Sequence, residues 1–156
     1  MQSFLLGIIS DTHGLLRPEA LCALRGSQAI IHAGDIGNPT ILDQLKAVAP
    51  VFAVRGNVDT EPWTLSLPLT AVVGLEDVQI YVLHNLEQLN LSPKTAGFHI
   101  VISGHTHKPE SHWRDDVLYI NPGSAGPKRF HLPITVARLQ LLQTPWQSQL
   151  VHLPVA

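Results

Sequence analysis

An α/β fold built on two packed sheets is what the sequence predicts, and three observations carry that prediction. Five short runs in the first two-thirds are apolar nearly throughout, as strands buried on both faces are. Helical patterns separate the first three of these runs. The last third is β-like, with Pro- and Gly-rich turns and no convincing helix.

Residues 4–10 form the first strand. Pro18 in an opening turn and Gly26 just past the end mark a helix over 18–25. A second strand covers 29–33. Thr40 is placed to cap a helix over 41–48, with Ile41, Leu42, Leu45 and Val48 on one face. A third strand follows at 51–55, and this alternation implies parallel pairing with right-handed crossovers. Runs at 79–83 and 99–103 complete the five. Residues 117–120, 134–142 and 149–153 are expected to make a second, more antiparallel sheet packed on the first, with a turn at Asn121-Pro122-Gly123-Ser124. There is no internal repeat or linker, so the 156 residues are read as a single domain over 1–156.

Composition narrows the function classes. Apolar residues make up 45% and charged residues 14%, against about 25% charged in a typical globular chain. That excludes disorder and suggests surface buried in a homo-oligomer. A net charge of −2 argues against a broad nucleic-acid surface. The single cysteine, Cys22, rules out an intramolecular disulfide and a thiolate zinc cluster. It is read as a buried residue of the first helix. The first apolar run is strand-length and lacks a basic leader, and no run approaches the roughly 20 residues that cross a bilayer. A soluble, cytoplasmic chain with no membrane partner is expected.

Each of the five runs ends in residues with metal-ligand chemistry: Asp11-Thr12-His13, Gly34-Asp35, Gly56-Asn57-Val58-Asp59, His84, and Gly104-His105-Thr106-His107. Each alone also fits turn or capping chemistry. Together, at strand ends where an open α/β sheet binds its ligand, they gather Asp11, His13, Asp35, Asn57, His84, His105 and His107 at one place. In extended chain His105 and His107 project to the same side. Seven ligating side chains exceed what one catalytic ion takes and suit two ions sharing a bridge. Imidazole, carboxylate and amide without thiolate fit two divalent ions that could be manganese, iron, nickel or zinc. Two such ions, two aspartates and a bridging hydroxide leave a net charge of roughly +1, which attracts phosphate.

These motifs, in this order, resemble the calcineurin-like metallophosphoesterases. Short length, Gly56-Asn57-Val58-Asp59 and Asn121-Pro122-Gly123-Ser124 make the chain similar to the small YfcE-like branch. The resemblance runs from residue 4 to about residue 124. It implies a four-layer α-β-β-α sandwich and hydrolysis of a small phosphate-ester substrate by a metal-bridging hydroxide. By resemblance, Asp11, His13, Asp35 and His107 hold one ion, and Asp35, Asn57, His84 and His105 the other. Arg55 faces substrate phosphate in this picture, and Asp59 anchors the ligands from behind. Lys128 and Arg129 are candidates to line the site. His32 is taken as a satisfied core histidine, and His99, His112, His131 and His152 belong to no constellation.

Two departures from the family pattern shape the expected activity. Val58 stands where related phosphatases carry a histidine thought to protonate the leaving group. With no other evident acid, diesters or esters with good leaving groups are expected. His84-Asn85-Leu86 replaces His-Gly-His; Asn85 is expected to supply the left-handed backbone of that Gly, while Leu86 removes one histidine contact. A retromer subunit shares this fold and much of the pattern, so a binding scaffold is the alternative reading.

Overall fold

The computed structural model describes residues 2–155. Its first sheet runs β10-β9-β1-β2-β3, where β1 is Leu5–Ile9, β2 Ala29–His32, β3 Val51–Ala53, β9 Thr135–Gln140 and β10 Ser148–His152. The second runs β4-β5-β6-β8-β7, with β4 Thr70–Leu75, β5 Val78–Leu83, β6 Ile100–Ile102, β7 Glu110–Arg114 and β8 Val117–Asn121. Both sheets are mixed. Strands β1, β2 and β3 are parallel and β9 is antiparallel to β1; β5, β6 and β8 are parallel and are flanked by antiparallel β4 and β7.

Three apolar clusters define the layers. Leu6, Ile8, Ile31 and Leu139 of the first sheet meet Ile80, Val82, Ile100, Ile102, Leu118 and Ile120 of the second. Each such fully buried aliphatic contributes about 1.5–3 kcal/mol by leaving water. The helices α1 (Pro18–Leu24) and α2 (Pro39–Lys46) cover the outer face of the first sheet through Ala20, Leu24, Ile41, Leu42 and Leu45. The fourth layer is thin. A 3₁₀ turn at Leu86–Gln88 and a single helical turn, α3 (Pro93–Ala96), accompany Leu86, Leu89, Leu91 and Phe98 on Tyr81, Leu83, Val101, Val117 and Tyr119.

Several expectations change. The five apolar runs do not form one sheet: β5 and β6 belong to the second. The last third does not form its own sheet either, because β9 and β10 extend the first while β8 joins the second. Strands β4 and β7 lay outside the sequence reading, since β4 is half-exposed and β7 is exposed along its whole length. Thr40 is not the cap of α2; Asn38 is, accepting the Thr40 N–H at 2.9 Å, with Pro39 in the first turn. Cys22 is exposed, because α1 turns Ala20 and Leu24 inward and Cys22 lies two positions from each. Among the described residues no helix is long and apolar enough to cross a membrane.

Candidate metal centre

The carboxyl ends of β1, β2, β5, β6 and β8 meet where the two sheets join. Backbone bonds lace their loops together: Asp11 N–H to Gly34 O (3.0 Å), Gly104 N–H to His84 O (2.9 Å) and Ala125 N–H to Ser10 O (3.1 Å). Five candidate ligands sit in left-handed backbone: Asp11 (φ 57), His13 (46), Asp35 (58), His105 (73) and His107 (64). Asp and His enter that region more readily than most residues, yet at an energetic cost, and such strain concentrates at functional sites. The extended-chain picture of His105 and His107 is therefore corrected. Strand β6 ends at Ile102, and the turn after it aims His107 at one cluster and His105 at another.

Asp11 is fully buried. Its Oδ2 accepts from Ser10 Oγ (2.7 Å) and from the His105 N–H (3.1 Å). Its Oδ1 faces His107 Nε2 (3.3 Å), His13 Nε2 (3.6 Å) and His84 Nε2 (3.8 Å). Asp35 Oδ1 accepts the Val58 N–H at 3.0 Å, while Oδ2 lies 3.1 Å from His84 Nε2 and 3.7 Å from His13 Nε2. His84 donates through Nδ1 to Ala33 O at 2.7 Å, which turns Nε2 inward. His13 and His107 bring their Nε2 atoms to 3.4 Å, and His105 Nδ1 lies 3.2 Å from Asn57 Oδ1. Two groups result, Asp11–His13–His107 and Asp35–His84–His105, each with ligand atoms within 4.8 Å of one another.

Charge is balanced tightly here. Burial pushes the Asp11 carboxyl upward, but contacts with His107 and His13, the charge of His84 and the Ser10 hydroxyl hold it well below the ordinary carboxylate range. Burial likewise opposes ionisation of Asp35, and the His84 contact and the Val58 N–H outweigh it. His84 is raised: burial works against its charge, while Asp35 and Asp11 favour it. Asp11 Oδ1 and His84 Nε2 are buried without a hydrogen-bond partner. Lone pairs left open beside facing imidazoles are what a divalent cation satisfies, so the residues present fit a metal.

The neighbouring positions divide. Asp59 does not touch the clusters; its carboxylate accepts from the N–H groups of Ile36 (3.0 Å), Gly37 (3.2 Å) and Gly56 (2.9 Å), tying two loops together. Buried His32 accepts the Gly34 N–H at 3.1 Å and meets Thr12 Oγ1 at 3.0 Å. Arg55 lines a cavity next to His84 and Asn57. Lys128 and Arg129 are exposed in the loop after Gly126. Asn85 is extended (φ −111), not left-handed; its side chain accepts the Glu87 N–H at 3.1 Å, and Leu86 packs in the outer layer. Gly56 is forced, because a Cβ there would meet the backbone N and carboxylate of Asp35. Sequence reasoning missed Ser10, Thr12, Asn121 and Ser124. Thr12 Oγ1 bonds Ile36 O (2.8 Å), Asn121 Nδ2 bonds Gly104 O (2.9 Å), and Ser124 Oγ bonds Asp11 O (3.0 Å). Ser10 and Thr12 are signalled by flanking Asp11, and Asn121 and Ser124 by the turn motif Asn121-Pro122-Gly123-Ser124.

The fold is a two-sheet α/β sandwich that brings two Asp/His groups able to hold metal to its strand ends. The chain belongs to the calcineurin-like phosphoesterase superfamily, whose domain model matches residues 4–144. It is 36% identical over 132 residues to a probable metallophosphoesterase of Methanothermobacter thermautotrophicus, covering 77% of this chain and 76% of that one. It is 32% identical over 145 residues to the phosphodiesterase YfcE of Escherichia coli, covering 74% and 76%. Vacuolar Protein Sorting 29 from Cryptosporidium parvum superposes with a TM-score of 0.76 at 18% identity over 96% of this chain and 97% of that one, a likeness of fold.

Proposed function

We propose that the protein is a binuclear metal-dependent phosphoesterase acting on small phosphate esters, diesters above all. The observation that supports this best is Asp35 Oδ2, which lies between His13 of one group and His84 of the other. In this reading Asp35 is shared, Asp11, His13 and His107 complete one site, and Asn57, His84 and His105 the other. Ions bound there, manganese first and iron, nickel or zinc as alternatives, supply Lewis acidity toward phosphoryl oxygens and an acidified water. The chain's own residues orient and neutralise. The His84 Nδ1–H, fixed on Ala33 O, keeps its other nitrogen available, and Asn57 and His105 hold each other at 3.2 Å. Arg55 lines the cavity beside Asn57 and His84 and would bind an anionic part of the substrate. Val58 can give no proton to a leaving alkoxide, which favours diesters and good leaving groups.

The scaffold reading draws on a shared fold and motif pattern, whereas catalysis is supported by six candidate ligands that stand in two compact groups. A screen of activated diesters and monoesters with added divalent metal, and total metal measured on the same sample, tests the choice. Metal-dependent cleavage of a diester is expected. Two bound ions with no cleavage of any ester would favour the scaffold.

A further inference from the structure

Two cavities flank the second metal group, and they differ in charge. One, of about 400 Å³, opens beside His105 and reaches over Asn121, Tyr119, His112, Glu110 and Glu87. The other, of about 440 Å³, opens beside His84 and Asn57 and is lined by Arg55, Thr70, Tyr81 and Gln88. Asn85 lines both and forms the divide. A phosphate diester carries two organic arms that diverge from one phosphorus, so the two cavities match its two arms.

Their linings set what each arm can be. No carboxylate lines the Arg55 cavity, half-buried Arg55 is the one Lys or Arg in its lining, and among the described residues no carboxylate pairs with that guanidinium. An anionic group there completes a charge-assisted bond that the free protein leaves open. The other cavity has two carboxylates, Glu87 and Glu110, and no Lys or Arg. Its wall is a flat ledge in which the His112 ring stacks on Tyr119, with centroids 5.2 Å apart and planes 2° apart. Arg114 packs on that Tyr119 ring 5.7 Å from its centre but does not line the cavity. This cavity suits a planar arm that is neutral or cationic and repels an anionic one.

Building on the phosphoesterase reading, we infer that the substrate class is an unsymmetrical phosphodiester, with an anionic arm held by Arg55 and a planar, uncharged or cationic arm on the His112–Tyr119 ledge. Two matched probes test it: p-nitrophenyl butyl phosphate and p-nitrophenyl 3-carboxypropyl phosphate, which differ by one carboxylate. Their monoester products, butyl phosphate and 3-carboxypropyl phosphate, are titrated by calorimetry so that binding is read apart from turnover. The metal-loaded wild type should prefer the carboxylated member about tenfold in both assays, the scale of one charge-assisted bond. Arg55→Gln should bring both ratios to within about twofold of unity, and Arg55→Lys should fall between, because Lys lacks the planar fork. A ratio cancels any general loss of activity in the variants. The combined Glu87→Gln, Glu110→Gln change should raise turnover of a butyl diester whose aryl arm bears a carboxylate. Diesters cleaved without Arg55-dependent preference would overturn the two-arm assignment and leave the phosphoesterase reading intact. Arg55-dependent preference in calorimetry without cleavage would support the cavity and overturn the enzyme. Neither preference nor cleavage would sink both.

Discussion

Val58, between Asn57 and Asp59, decides how the proposed reaction would end. Its isopropyl group is 47% exposed beside the site, so the position is open enough to take a larger ring. General acid catalysis typically contributes about 10²- to 10⁴-fold and matters most for poor leaving groups. The natural protein should therefore depend steeply on leaving-group acidity, cleaving aryl esters well and alkyl monoesters badly. Val58→His should flatten that dependence, raising rates on alkyl esters more than on aryl esters at fixed metal content. A shallow slope in the natural protein would mean that another group supplies the proton. A second residue-scale expectation concerns pH in the metal-free protein. His32 is buried on all sides, which pushes it down to about 4, with the carboxylates of Asp11 and Asp59 only partly offsetting this. The unfolded chain takes up that proton near the ordinary 6.5, so stability falls as pH drops from 6.5 to 4, by roughly 3 kcal/mol. His84 is shifted the other way; its contribution is present below 6.5 and is lost as pH rises through its folded value. Urea unfolding of the chelated protein should show maximal stability near pH 6.5, and a steady climb to pH 8.5 would refute the His84 ion pair. The candidate ligands were legible in the sequence because Asp, His and Asn at successive strand ends are distinctive. The supporting roles of Ser10, Thr12, Asn121 and Ser124 were not, since a hydroxyl or amide that bonds a backbone carbonyl or a neighbouring carboxylate serves equally well anywhere in a fold.

At the scale of elements, α2 shows how local chemistry sets a boundary. Asn38 is extended (φ −151) and its Oδ1 accepts both the Thr40 N–H and the Thr40 hydroxyl, at 2.9 Å each. Asn38→Ala should lower stability by about 1 kcal/mol in urea unfolding with metal content unchanged. Thr40→Ala should cost less, and the reverse order would return the cap to Thr40. The parallel strands were readable because burial on both faces makes them apolar nearly throughout, as in β1, β2 and β6. The hairpins β4–β5 and β7–β8 were not. Their two-residue turns, Glu76-Asp77 and Asp115-Asp116, adopt positive φ without the Asn-Gly or Asp-Gly that usually announces such a turn. Gly74 inside β4 and the wholly exposed Glu110–Arg114 of β7 weaken the strand signal further. Assignment of strands to sheets was also hidden, because β9 returns to β1 across most of the chain and carries β10 on its outer edge, and only long-range pairing decides that.

Across the whole molecule, each metal group draws on both sheets: Asp11 and His13 follow β1 and meet His107 from beyond β6, while Asp35 follows β2 and meets His84 and His105 from beyond β5 and β6. The site thus exists only while the sheets are packed, and bound metal should stabilise that packing by mass action. The edge strands β3 and β4 expose Phe52 (38%) and Val72 (62%), and Leu65 and Leu69 between them are 70% and 63% exposed. With charged residues at 14%, this edge predicts self-association; sedimentation velocity at micromolar concentration should show a dimer, and monomer alone would refute it. Asp35 and Asp11 of the first sheet both face histidines of both groups, and Asp35 comes closer to His84, at 3.1 Å against 3.8 Å. Because partners behind a metal ligand already cost 10–100-fold when removed, losing a shared ligand should cost about a hundredfold or more. The most direct test is metal content per chain, measured together with the rate on an activated diester, for the natural protein and for Asp35→Asn. The natural protein should carry two divalent ions and hydrolyse the diester, while the folded variant should hold fewer ions and lose at least about a hundredfold in rate. A variant that keeps its metal and cleaves the diester at near the natural rate would contradict a shared Asp35 and, with it, the two-metal site.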